Sequence, residues 1–269
     1  MENIVILTQP RSGSTLLCEL FEAFKSTRVI YEIFTPQFKS VFNFFEKQFI
    51  CGGKGLPSKE EFANFFKNNL PLAYQRTNIV CSNSYLVYKI FQWQADLTNI
   101  DFLFDNPNNK FIILTRSNSL AWYASEQLSS IEKIYIPEDD PTGTKIKNFK
   151  INLDLKKFEN WHSGQYYQYL KMYTSLVTRN LSYLHINYEN DLESLDGSVF
   201  LKIKKWGIEN SINFGENNHL NLSNQKMPKR DLSEIYLNWD EISRGRISEI
   251  TKRYDIADMI ERGYNPSRS

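Results

Sequence analysis

Ile4-Val5-Ile6-Leu7-Thr8-Gln9-Pro10-Arg11-Ser12-Gly13-Ser14-Thr15-Leu16-Leu17 is the stretch whose reading decides the fold. Its apolar run, Ile4 to Leu7, is too short for a helix and enters a Pro-Arg-Ser-Gly-Ser turn, so Ile4 to Thr8 reads as a buried strand. Beyond the turn, Leu16, Leu17, Leu20, Phe21 and Phe24 recur at helical spacing and predict a helix from Ser14 to about Phe24. A strand that passes through a glycine turn into a helix presents backbone N–H groups at the helix N-terminus, where the helix dipole also favours an anion. Gly13 lets the backbone approach such an anion, while Arg11, Ser14 and Thr15 can donate hydrogen bonds to it. A serine-rich helix cap would account for Ser12 and Ser14 without a ligand, but not for Arg11 in this strand-loop-helix context.

Outward from this unit, strands are predicted at Tyr85 to Phe91 and at Phe111 to Thr115, the second leading into a helix from Asn118 to about Ser130. A long helix over roughly Leu153 to Arg179, a strand from Tyr183 to Asn187 and a helix near Ser198 to Trp206 follow. Strands alternating with helices imply an α/β, P-loop-like three-layer fold with a mainly parallel central sheet flanked by helices, in one domain spanning 1–269. Aromatic-rich amphipathic stretches around Phe38 to Phe49 and Lys59 to Leu70, separated by Gly52-Gly53-Lys54-Gly55, predict a helical insertion near 36–70. Pro137, Glu138, Asp139, Asp140, Pro141 and Gly143 predict a mobile loop near 136–150 that could act as a lid. Asp139 and Asp140 in that loop either lie in solvent or attract a cationic ligand.

Composition narrows the function classes. With 32 basic and 31 acidic residues the formal net charge is +1, so no global field draws the chain onto nucleic acid or an anionic membrane. A local basic pocket is still allowed. The aromatic share of 14% leaves rings to line a pocket, although Tyr166, Tyr167, Tyr169 and Tyr173 on the long helix equally fit a core. Cys18, Cys51 and Cys81 have neither CxxC spacing nor a histidine at ligand distance, which argues against a metal site or disulfide framework and for a reducing, cytoplasmic setting. The Ile4 to Leu7 run lacks the length and basic flank of a signal peptide, and no apolar span reaches the roughly 20 residues of a membrane anchor.

The loop lacks the GxxxxGK[ST] spacing and lysine of a Walker A motif. Gln9 through Leu17 instead resembles the 5′-phosphosulfate loop of sulfotransferases that use 3′-phosphoadenosine 5′-phosphosulfate (PAPS), in the form found in the trehalose-sulfotransferase-like and nodulation-factor-type branch. The resemblance implies that Arg11, Ser12, Gly13, Ser14, Thr15 and Leu16 bind the phosphosulfate. Phe111 to Arg116 followed by Ser125 resembles the family's 3′-phosphate strand and helix, implying contacts from Arg116 and Ser125; Ser117, Ser119 or Ser129 could take the place of Ser125. Weaker similarities link Tyr88-Lys89-Ile90-Phe91 to a family strand carrying a lysine and Tyr188-Glu189-Asn190-Asp191-Leu192 to its Tyr-Glu-Asp-Leu element. Another links Gln225-Lys226 through Glu241 to a terminal segment, where Lys226 either reaches a cofactor phosphate or lies in solvent.

Sulfuryl transfer needs an aligned nucleophile, charge stabilisation and a proton acceptor. Tyr31-Glu32-Ile33-Phe34 resembles the family element whose glutamate is the catalytic base, which makes Glu32 the first candidate for proton acceptor. His162 is the second; His185 reads as a packed strand residue and His219 as solvated. Arg11 can stabilise charge on the transferring group, and no metal is required. The resemblance implies transfer to a hydroxyl or amine of a small soluble acceptor such as a sugar, a lipid headgroup or a secondary metabolite, as in natural-product tailoring, with PAP as product. A small-molecule kinase and a catalytically silent nucleotide-binding protein are the competing readings.

Overall fold

The computed structural model describes residues 3–32, 85–92, 101–134, 140, 142–193, 197–215, 230–242 and 244–263. The insertion expected near 36–70 and Lys226 fall outside them, as does part of the loop expected near 136–150.

The chain opens with β1 (Asn3–Thr8), α1 (Ser14–Glu22) and β2 (Thr27–Glu32), followed by β3 (Tyr85–Phe91), the short helix α2 (Asp101–Phe104) and β4 (Asn109–Thr115). Next come α3 (Ser119–Glu132), α4 (Thr144–Asn148), α5 (Leu155–Thr178), β5 (Tyr183–Asn187), a π-helical turn (Tyr188–Leu192) and α6 (Ser198–Glu209). The described C-terminal part holds α7 (Leu232–Ile235), a 3₁₀ turn (Trp239–Glu241), α8 (Arg244–Arg253) and α9 (Ile256–Glu261). The strands form one five-stranded sheet in the order β2-β3-β1-β4-β5, and every neighbouring pair is parallel. This is the three-layer α/β fold expected, with an all-parallel sheet.

Alternation along the strands sorts side chains into two layers. Val5, Leu7, Tyr88, Ile90, Phe111 and Ile113 face a core that contains Trp122 of α3, Tyr169 and Met172 of α5 and Ile260 of α9. Ile4, Ile6, Val87, Ile112 and Leu114 face the opposite core with Leu17, Leu20 and Phe21 of α1 and Ile203 and Trp206 of α6. Every residue of β1 is fully buried, as the central strand of a sheet covered on both faces must be. β1 is flanked by β3 on one side and β4 on the other, so the crevice beyond its carboxyl end is the topological switch point where parallel α/β sheets bind ligands.

Two elements differ from the sequence reading. Arg28 to Tyr31, for which the sequence predicts no strand, is part of strand β2, whose pairing with β3 shifts register between Val29 and Glu32; Tyr31 there adopts a left-handed φ of 46°. In the described part of the 136–150 segment, α4 forms, and the Asp140 carboxylate is buried and accepts the Ile146 N–H at 2.8 Å. Asp140 therefore organises its own segment and is turned away from solvent. No described helix is long and apolar enough to cross a membrane.

The π-helical turn after β5 is pinned by side chains. Asp191 accepts the Asn187 N–H at 2.7 Å and pairs with Lys202 Nζ of α6 at 2.8 Å. Asn187 in turn accepts the Asn190 N–H and donates to Ser117 Oγ at 2.5 Å, tying the end of β5 to the end of β4. Asp191→Ala is expected to lower unfolding free energy by about 1.5–3 kcal/mol, the range for hydrogen bonds to charged groups. Lys202→Ala, at the more exposed end of the pair, should cost less than about 1 kcal/mol. Denaturant unfolding with an unchanged m-value would check both.

Candidate functional site

The loop from Gln9 to Gly13 leaves the carboxyl end of β1 in an unusual backbone path, with Arg11 at φ 62° and Gly13 at φ 90°. Three anchors hold that path from outside. Trp122 Nε1 of α3 donates to the Pro10 carbonyl at 2.8 Å, Arg116 Nη1 donates to the Arg11 carbonyl at 2.8 Å, and the Thr8 and Ser12 hydroxyls share a 2.5 Å hydrogen bond. Glycine is required at position 13 for a second reason besides φ: a Cβ there would stand 2.2 Å from the Tyr188 ring. Gly13 is also the N-cap of α1, which has no side-chain cap and no acidic residue in its first turn. None of the backbone N–H groups of Ser12 through Leu16 donates to another described residue. Donors without a described partner at the positive end of a nine-residue helix have the geometry that an anion could satisfy.

Cations reach this loop from three directions. Arg11 turns its side chain towards α3, where Nε donates to Ser125 Oγ at 3.1 Å. Arg116, at the end of β4, lies with its guanidinium carbon 4.8 Å from the centre of the Tyr188 ring and its Nε 3.3 Å from Glu189 Oε1. Lys89 arises from β3: its Nζ donates to Thr15 Oγ1 at 3.1 Å although the residue is buried. Sheet alternation explains Lys89, because Leu86, Tyr88 and Ile90 face one layer and Val87 and Lys89 face the other, towards the start of α1.

The residues expected from sequence fall as follows. Arg11, Arg116 and Ser125 come together through the two bonds to Arg11, one to its side chain and one to its carbonyl. Of the alternative serines, Ser117 is bonded to Asn187 and Glu189, Ser119 to Ser117 and Ser129 to the Glu126 carbonyl, so Ser125 is the one joined to Arg11. The backbone of Glu32 stands in register with Lys89 across the β2–β3 pair, one strand from the lysine that touches the loop. His162 lies instead among rings, stacked on Phe158 at 5.7 Å between centroids and edge-on to Tyr254 at 6.2 Å. Burial pulls its pKa down to about 4, with Asp255 opposing, and neither ring nitrogen has a hydrogen-bond partner among the described residues. His185 packs as expected, its Nε2 2.9 Å from Thr115 Oγ1, and burial also lowers its pKa to about 4.

Sequence reasoning missed the acidic and aromatic supports. Glu126, the residue after Ser125, accepts a 2.8 Å hydrogen bond from Trp161 Nε1; burial raises its carboxyl against the lowering effects of that bond and of Arg11. Glu189 binds both Arg116 and the Ser117 N–H, the latter at 2.7 Å. Position immediately after Ser125 was the only pointer to Glu126, whereas Tyr188 and Glu189 were visible within a quoted motif without a role. Among the described residues no cluster of His, Cys, Asp or Glu is arranged to hold a metal ion.

No family model and no curated protein matches the chain. Among solved structures, the chain is similar to the sulfotransferase domain from the Synechococcus PCC 7002 olefin synthase, at 11% identity and a TM-score of 0.44, with 95% of this chain and 94% of that chain covered.

The contact between Gly13 and Tyr188 yields a test by two substitutions. Gly13→Ala is expected to destabilise the fold by about 2–4 kcal/mol, combining overpacking with the strain of a left-handed φ. In a Tyr188→Ala background the ring clash is gone, and the cost of Gly13→Ala should fall to the φ strain of about 1 kcal/mol. Equal costs in both backgrounds, measured by denaturant unfolding, would show that the ring does not exclude a Cβ at position 13.

Proposed function

We propose that the chain is a sulfotransferase that takes PAPS as donor and transfers its sulfuryl group to a hydroxyl or amine of a small acceptor. The observation that carries this reading is the set of unpaired N–H groups from Ser12 through Leu16, overlooked by Arg11, Arg116 and Lys89. Several anionic oxygens on one ligand suit such a set better than a single carboxylate does. The loop carries no lysine of its own, which sets it apart from a Walker A loop, and the ammonium is delivered from β3. The resemblance of Gln9–Leu17 and Phe111–Arg116 to the family's two phosphate-binding segments adds the donor's identity.

In this reading the loop amides and Arg11 hold the 5′-phosphosulfate, and Lys89 sits where charge grows on the bridging oxygen. Arg116 and Ser125 hold the 3′-phosphate. Glu32 takes the acceptor proton as the new S–O bond (S–N for an amine) forms and the S–O bond to the 5′-phosphate breaks. The donor supplies the activated sulfuryl group and leaves as PAP. Lys226 is assigned to a cofactor phosphate. A soluble cytoplasmic setting and natural-product tailoring complete the proposal.

Calorimetry and thermal shift with PAP, AMP, ATP and ATP with Mg²⁺ test the donor, because a ligand that binds the native state raises its stability. PAP is expected to stabilise the protein most; a larger shift with ATP and Mg²⁺ would favour the kinase. Arg116→Ala should weaken PAP by well over tenfold and reduce the preference for PAP over AMP, since truncating one half of a buried charge pair is costly. Unaltered discrimination would remove Arg116 from the 3′-phosphate.

Glu32→Gln is expected to retain PAP affinity and fold while lowering kcat about 10²–10⁴-fold, the usual contribution of a positioned base. Single-turnover transfer from radiolabelled PAPS to a panel of acceptors would measure it. Retention of more than about a tenth of parental kcat would transfer the role to another group.

A further inference from the structure

Glu189 sets a negative charge beside a cation that the proposed function assigns to a phosphate. Like charge weakens anion binding, so a carboxylate at this position needs a compensating role. Its geometry supplies one. Oε2 accepts the Ser117 N–H at 2.7 Å, which fixes the carboxylate to the backbone beyond β4, and Oε1 lies 3.3 Å from Arg116 Nε. The same guanidinium rests over the Tyr188 ring at 4.8 Å and donates from Nη1 to the Arg11 carbonyl at 2.8 Å. Three contacts therefore define its plane, its edge and its depth, while Nη2 bonds to no other described residue. Both partners are largely shielded, with side chains 15% and 19% exposed, so solvent screens the pair less than a surface bridge.

We propose that Glu189 is a positioning residue for Arg116: bridging Ser117 N–H and Arg116 Nε, it holds the guanidinium so that its Nη2 side is presented to an anionic ligand. The inference rests on the reading of Arg116 as a phosphate ligand. A freely rotating arginine loses rotamer entropy on binding, whereas one held at Nε, Nη1 and its face has already lost it. The asymmetry follows from the donor set, because Nε and one Nη are occupied by protein acceptors and the second Nη is left for the ligand.

A double-mutant cycle of Glu189→Ala and Arg116→Ala, read by PAP and AMP affinity, separates positioning from general structural support. Glu189→Ala is expected to weaken PAP about tenfold in the parent background and less than about twofold where Arg116 is already Ala, a coupling typical of contacting residues. AMP affinity should change less than about twofold in both. Equal weakening in the two backgrounds, parallel loss of AMP binding, or unchanged or tighter PAP binding in Glu189→Ala would overturn the proposal. Failure of the parent to bind PAP would instead count against the sulfotransferase reading. A ligand-free readout decides positioning in that case. The Arg116 Nε–H resonance, identified by its absence in Arg116→Lys, should be sharp and slowly exchanging in the parent and broadened in Glu189→Gln. An unchanged resonance in Glu189→Gln would sink the positioning role whatever the ligand.

Discussion

A tyrosine ring laid against a glycine backbone is the contact on which the site depends. Tyr188 leaves no space for a Cβ at Gly13, so the loop can turn left-handed and close beneath the ring, and the same ring supports the Arg116 guanidinium. Arg116 then returns a hydrogen bond to the Arg11 carbonyl. The circuit runs from the loop after β1 to the turn after β5, then to the end of β4 and back to the loop, so it joins the ends of three strands that are neighbours in the sheet. With the carbonyls of Pro10 and Arg11 drawn outward by Trp122 and Arg116, the amides that follow have no partner among the described residues. Donors left unsatisfied away from water are costly, so the proposed function assigns them to the anionic end of PAPS.

Local charge separates this site from the molecule as a whole. A formal net charge of +1 gives no long-range field, so selectivity for an anion must come from the pocket itself. Each basic group has a dedicated support: Ser125 for Arg11, Thr15 for Lys89, and Glu189 with Tyr188 for Arg116. Glu126 adds a carboxylate near Arg11, anchored by Trp161 and made less acidic by burial. Mixed signs at close range narrow the positions an anion can occupy. That is a source of geometric specificity more than of raw affinity.

How far this was legible in sequence follows from the kind of signal each part leaves. β1, its loop and α1 were legible because a buried strand, a glycine turn and a 3.6-residue period each mark themselves. The bonds joining Arg11, Arg116 and Ser125 span more than 100 residues and could be expected only from resemblance, since no local pattern encodes them. β2 went unpredicted because a register shift and the left-handed Tyr31 interrupt its alternation. Asp140 looked like a solvated acid because sequence does not show that the Ile146 amide lies within reach. His162 looked like a base because histidine often is one, whereas its ring is enclosed by Phe158 and Tyr254 and burial disfavours its charged form.

Lys89 ties the register of the sheet to the chemistry of the candidate site. In a parallel strand buried on both faces, hydrophobicity alone discriminates poorly between registers, since Leu86, Val87, Tyr88 and Ile90 would be content in either layer. Lys89 breaks that degeneracy. In the observed register its ammonium leaves the core beside α1 and meets Thr15; a slip by one residue would turn it into the layer filled by Leu7, Trp122 and Tyr169. Burying an unpaired ammonium there would cost several kcal/mol, comparable with the whole stability of a domain. The same register sets the Glu32 backbone opposite Lys89 and ends β1 and β4 side by side, where Arg11 and Arg116 begin. A chain that folds with Lys89 satisfied has therefore already aligned the strand ends from which the candidate site is built.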